Sequence, residues 1–193
     1  MPPSLPSLPG HLRLGWRPHR HGTPAEPLVR DWLAGELDTG PAALALPRDA
    51  HGRPRLQAPA GYDASWSHSG EYLLVALGQG VELGVDLERL RPRPRALDLA
   101  RRFFHPREAA WLQALPEPER ASAFVRLWCA KEAVLKAHGR GLAFGLHRLE
   151  FAPDGDGLRL VACARDLGTP ADWSLHESTP HPGYVAALAW RPR

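Results

Sequence analysis

The chain has 193 residues, 44% of them hydrophobic, and a formal net charge of +3. That is enough to bury one substantial core or two small lobes, and too apolar for a disordered segment. The small positive balance favours anionic ligands only mildly and gives no ground for a nucleic-acid partner.

Residues 1–10, MPPSLPSLPG, are proline-punctuated and expected to be poorly ordered at their start. They lack the charged start and apolar stretch of a signal peptide, and no apolar run reaches the roughly 18 residues of a membrane span. Two cysteines, Cys129 and Cys163, imply no disulfide framework and fit a reducing compartment. A cytoplasmic protein without a membrane partner is the expectation.

Leu12, Leu14 and Trp16 alternate with polar residues, which predicts a strand. Leu28, Val29, Trp32, Leu33 and Leu37 recur at helical spacing over 26–37. Residues 51–56, HGRPRL, read as a turn in which Gly52 and Pro54 flank Arg53. Such a corner projects a cation that suits a phosphate, although exposed turn arginines are commonplace. SHSG (67–70) reads as a turn whose hydroxyls, imidazole and backbone can donate to phosphate oxygens. YLLVAL (72–77), the GQG turn (78–80) and a second strand then predict an antiparallel hairpin.

In that second strand Val81, Leu83, Val85 and Leu87 take one face, and Glu82, Gly84, Asp86 and Glu88 the other. Asp86 and Glu88 project side by side, about 7 Å apart at Cα, and Gly84 leaves room for close approach. Adjacent carboxylates repel unless a cation or solvent screens them; the same pattern also describes an exposed acidic strand. RPRPR (91–95) reads as a stiff basic linker. Short helices are predicted over 97–104 and 106–115, with PEPE (116–119) as a break.

A long helix follows over 124–142 and closes at glycine. Trp128, Glu132 and Lys136 are each four apart and share a face. A Glu–Lys pair at this spacing is also what an exposed helix carries for roughly 0.2–0.5 kcal/mol. Beyond it, 146–153 and 158–164 predict a hairpin across DGDG, which lacks the bidentate glutamate of a calcium loop. Strands at 172–178 and 184–190 end the chain. The order of elements suggests two α+β lobes. If the long helix lies on the acidic strand, Asp86, Glu88 and Glu132 converge beside Lys136. An all-oxygen set of that kind suits Mg²⁺ and chemistry at a phosphate ester or anhydride. A Mg²⁺-dependent phosphohydrolase or nuclease uses the same groups, but no basic–aromatic stripe accompanies them here.

GVDLE (84–88) and LWCAKEAVLKAHGRGL (127–142) together resemble the paired signature of the 4′-phosphopantetheinyl transferases. GRP (52–54), WSHSG (66–70), RRFFHPRE (101–108) and PGY (182–184) match further family segments in order. The match covers roughly residues 51–190 and is closest to the two-lobed, monomeric, surfactin synthetase-activating type. That resemblance implies two similar lobes related by a pseudo-two-fold axis, each a small antiparallel sheet packed by a long helix, over residues 1–83 and 84–193. It implies transfer of the phosphopantetheine arm of coenzyme A to a serine of an apo carrier protein, an acidic helical domain. It further implies Mg²⁺, with Mn²⁺ as a substitute, on Asp86, Glu88 and Glu132. Glu132 and Lys136 would be catalytic. Arg53, Ser67, His68, Asp86, Lys131 and Lys136 would line the coenzyme A site. The chain departs from the family in the short stretch before GRP, which matches the family's basic N-terminal lobe poorly. A homologue of this fold that binds carriers without turnover is the remaining alternative.

Overall fold

The computed structural model describes residues 8–193; the expectation of poor order at the very start falls largely outside them. In chain order the elements are β1 (Leu12–Pro18), α1 (Glu26–Glu36), β2 (Tyr62–Ser69), β3 (Tyr72–Gln79) and β4 (Val81–Arg89). There follow α2 (Ala96–Phe103), α3 (Pro106–Ala114), α4 (Glu117–His138), β5 (Leu149–Asp154), β6 (Gly157–Cys163), β7 (Ser174–Ser178) and β8 (Tyr184–Pro192). The fold is a mixed α/β one of small antiparallel sheets, ordered β1-β3-β2, β4-β8-β7 and β5-β6.

Alternation along the strands sorts the side chains into layers. Leu73, Val75 and Leu77 of β3 face α1, meeting its Val29, Trp32 and Leu33. Leu74 and Ala76 face the second sheet, meeting Val81, Leu83, Val85 and Leu87 of β4 and Ala186 and Leu188 of β8. Val185, Ala187 and Ala189 turn the opposite way, onto Ala130, Ala133 and Val134 of α4. Each of the two three-stranded sheets thus has a helix on its outer face and apolar side chains between it and the other.

The predicted β3–β4 hairpin does not form. β3 already pairs with β1 and β2 on both edges, so it has no edge to offer. The chain turns at Gly80, with φ of 70°, and β4 pairs with β8. The long helix starts seven residues earlier than expected. PEPE is its first turn, where Pro118 costs no hydrogen bond and Glu117 and Glu119 face the positive end of the helix dipole. Its C-terminus is as expected, with Gly139 left-handed at φ 96°.

SHSG is not a turn either. Ser67, His68 and Ser69 end β2, and the turn lies at Gly70. Alternate residues of β2 explain the difference. Asp63, Ser65 and Ser69 accept hydrogen bonds from the backbone N–H groups of Leu83, Val85 and Arg89, at 2.9, 3.2 and 3.0 Å. β2 and β4 therefore run in parallel order, joined by side chains that satisfy the free edge of β4.

Candidate active site at the contact of β4 and α4

Gly84 sets the distance between β4 and α4. A Cβ there would overlap the backbone of Ala133 and Ala137, so only glycine lets the helix lie this close. The polar face of β4 is thereby pressed against the Glu132–Lys136 face of α4, which meets the condition the sequence reading set for Asp86, Glu88 and Glu132 to converge. Lys136 Nζ donates to Asp86 Oδ1 at 2.6 Å and to Val85 O at 3.1 Å. Glu88 lies one pleat further along and is held by Arg93 at 2.9 Å. Trp128 packs against Phe104 and Phe124.

Asp86 and Glu132 are buried, 5% and 8% exposed. Burial, and after it the neighbouring Asp86, pushes the Glu132 carboxyl up from 4.5 to about 7, against the pull of Lys136. Glu88 is raised by burial and then by Asp86, with Arg93 opposing. Asp86 Oδ2 is buried with no hydrogen-bond partner, an open acceptor aimed at none of the protein's donors.

Among the described residues no three His, Cys, Asp or Glu groups already stand as a metal site, so Asp86, Glu88 and Glu132 are brought together electrostatically but not into a finished ligand cage. Their chemistry nevertheless fits a hard divalent cation. All three offer oxygen, one oxygen is orphaned, and burial, with the neighbouring carboxylates after it, raises two of the three carboxyls.

Three residues expected at the coenzyme A site are placed differently. Lys131 is wholly buried. Its ammonium uses all three donors, on Glu108 at 2.7 Å, Leu146 O at 2.9 Å and Leu149 O at 2.6 Å. Burial lowers it to about 8. It braces α4 against α3 and the start of β5. Arg53 is buried too: its guanidinium donates to Asp63 at 2.6 Å and to the carbonyls of Ala137 and Leu83, each at 2.7 Å. The Gly-Arg-Pro corner exists, with Gly52 at φ 82°, but the cation points inward. Ser67 is buried and donates to Asp86 Oδ1 at 2.8 Å, so it positions a carboxylate rather than standing open to a phosphate.

His68 remains exposed and stacks on buried His19, with ring centroids 4.7 Å apart. Burial, then His19 and Lys136, lowers its pKa, which places it on the lysine side of the site. Between β2, the end of α4 and the 48–54 turn lies a cavity of about 260 Å³, bordered among others by Arg48, His51, Trp66 and Lys136.

Two positioning groups escaped the sequence reading. Glu108 accepts from Lys131 and from the backbone of His105 and Phe151. The signal was a glutamate three residues after a capping position before Pro106. The seam residues Asp63, Ser65, Ser67 and Ser69 were visible as polar residues at every second position.

The model of the 4′-phosphopantetheinyl transferase superfamily matches residues 82–189. A putative 4′-phosphopantetheinyl transferase of Synechocystis sp. is 35% identical over 171 residues, covering 84% of this chain and 68% of that protein. The 4′-phosphopantetheinyl transferase HetI of Nostoc sp. is 36% identical over 182 residues, covering 90% and 74%. A crystal structure of a holo-(acyl-carrier-protein) synthase from Bacillus anthracis in complex with coenzyme A overlays with a TM-score of 0.45 at 20% identity, covering 57% of this chain and 95% of that one.

Proposed function

The chain belongs to the 4′-phosphopantetheinyl transferase superfamily, and from that premise we propose how its β4–α4 site carries out the reaction. The enzyme transfers the 4′-phosphopantetheine arm of coenzyme A to a serine of an apo carrier protein and leaves adenosine 3′,5′-bisphosphate. The serine oxygen bonds to the phosphorus that bears the pantetheine, the pyrophosphate bridge breaks, and the serine proton must be removed. Glu132 is the base, directly or through one water. A carboxyl near 7 is matched to a proton transfer at neutral pH. Lys136, beside Asp86, directs its charge at the phosphoryl group. His68 contacts a coenzyme A phosphate from the exposed side. Ser67 holds Asp86 in its rotamer.

Asp86, Glu88 and Glu132 would hold Mg²⁺, or Mn²⁺ in its place, and a cation there supplies neutralisation of pyrophosphate charge. The observation that carries this reading is the buried, mutually repelling carboxylate set of β4 and α4 in direct contact with Lys136.

We read the chain as two lobes related by pseudo-two-fold symmetry, β1-β3-β2 with α1 and β4-β8-β7 with α4. Their junction is the Gly80 turn; a break at 83/84 would cut β4. A monomer acting on an acidic carrier domain in the cytoplasm completes the proposal. The test is intact-mass analysis of a panel of apo carriers after incubation with coenzyme A and Mg²⁺. One added phosphopantetheine per carrier is expected; unmodified carriers throughout would contradict it.

A further inference from the structure

Asp86 and Glu88 are held on one plan. At Asp86, Ser67 and Lys136 both donate to Oδ1, at 2.8 and 2.6 Å, and Oδ2 has no partner. At Glu88, Arg93 donates to Oε2 at 2.9 Å, and Ser69 Oγ lies 3.4 Å from the same oxygen. No described residue donates to Oε1 of Glu88. Each carboxylate of β4 thus receives one hydroxyl of β2 and one cation on a single oxygen, and its other oxygen meets no protein donor. The cations differ in origin. Lys136 comes from α4, whereas Arg93 comes from the basic stretch 91–95, to which the coenzyme A reading gives no part.

That stretch is built to hold a side chain still. Pro92 and Pro94 flank Arg93 and restrict the backbone on either side of it. Both ends are tied: Leu90 N–H donates to Gly183 O at 2.7 Å, and Ala96 N–H to Arg93 O at 2.9 Å. The guanidinium is drawn inward, 24% exposed, with its Nε buried and without a hydrogen-bond partner. Glu88 is the carboxylate with room to move. Its side chain is 20% exposed against 7% for Asp86, so repulsion from Asp86 would turn it out into solvent if nothing held it.

We propose that Arg93 is a positioning residue for cation binding: it holds Glu88 beside Asp86 through Oε2 and leaves Oε1 and Asp86 Oδ2 to one divalent cation. This rests on the metal reading above. A guanidinium also repels a cation, so the two effects on affinity have opposite signs. Orientation outweighs repulsion, because the charge of Arg93 is paired with Glu88 and partly screened by solvent. Loss of a hydrogen-bond partner behind a metal ligand typically weakens metal binding by about tenfold or more.

The test titrates Mn²⁺ into metal-free protein without coenzyme A and reads bound ion by electron paramagnetic resonance. Wild type is compared with Arg93→Ala, Arg93→Lys, Glu88→Gln and the Arg93→Ala/Glu88→Gln double variant. Arg93→Ala should raise the Kd for Mn²⁺ about tenfold, and Arg93→Lys should recover part of the loss. The metal-free melting temperature of Arg93→Ala should stay close to that of wild type, since a partly exposed ion pair adds little stability. In the Glu88→Gln background the same substitution should change the Kd by less than about twofold, because its effect runs through Glu88. Tighter binding by Arg93→Ala would make the guanidinium a competitor of the cation and overturn the proposal. So would an unchanged Kd, or an equal loss with and without the Glu88 carboxylate; all three leave the metal reading in place. A wild-type chain that binds no Mn²⁺ would overturn both.

Discussion

At the scale of single residues, the site is defined by a carboxyl under electrostatic pressure. Glu132 titrates near 7 in the folded chain, above its ordinary 4.5. Between those values the native state keeps a proton that the unfolded chain has released. The stability tied to this group is therefore full below pH 4.5 and is lost as pH rises to about 7. Melting curves of metal-free protein from pH 5 to 7.5 should show this decline, and Glu132→Gln should flatten it. At pH 7 the variant should be the more stable by on the order of 1–3 kcal/mol. Cation binding needs the ionised form, so Mg²⁺ should displace a proton at pH 6.5. Calorimetric heats that do not vary with buffer ionisation enthalpy would contradict that.

Lys131 makes the opposite case, a charged residue whose work is internal. Lys131→Met leaves Glu108 buried without its countercharge and should cost about 3–5 kcal/mol in thermal or chemical unfolding. Adding Glu108→Gln should recover part of that. A normally stable Lys131→Met with weakened coenzyme A affinity would restore the ligand role that the resemblance implied. Nothing in the sequence distinguishes the two roles of a lysine beside a glutamate. The distinction comes from the α3 helix and the β5 strand closing over it.

At the scale of elements, the approach of α4 to β4 depends on Gly84. Gly84→Ala drives a methyl into the backbone of Ala133 and Ala137 rather than into a yielding side chain. It should cost about 1–3 kcal/mol and lower transfer, because Lys136 and Glu132 retreat from Asp86. Near-wild-type melting and activity would mean the helix contact is looser than described. Period two on β4 and period 3.6 on α4 were legible, and with them the face that carries Asp86, Glu88 and Glu132. Strand partners were not. Alternation tells which face of β4 is buried but not which edge is paired, so the pairing of β4 with β8, about a hundred residues away, stayed hidden. The start of α4 was masked because Pro116 and Pro118 break a helix interior yet open a helix well.

At the scale of the whole molecule, the site exists because two sheets are locked across one seam. Asp63, Ser65 and Ser69 satisfy the free edge of β4, while Arg53 links Asp63, Leu83 and Ala137. The Gly-Arg-Pro corner was readable as a backbone turn; where its side chain goes depends on elements up to 84 residues distant. The layering of the sheets and helices follows from the alternation of β3, β4 and β8, whereas a pseudo-symmetric two-lobed plan came from resemblance and not from any pattern of residues.

The most direct test of the account is single-turnover transfer read by intact mass, with Mg²⁺, coenzyme A and an apo carrier that the wild-type chain modifies. Wild-type and Glu132→Gln proteins are compared at matched folded fraction. The account predicts the phosphopantetheine increment with wild type and at least about a thousandfold slower appearance with the variant, since a general base and a cation ligand are lost together. Transfer by Glu132→Gln at the wild-type rate would contradict it.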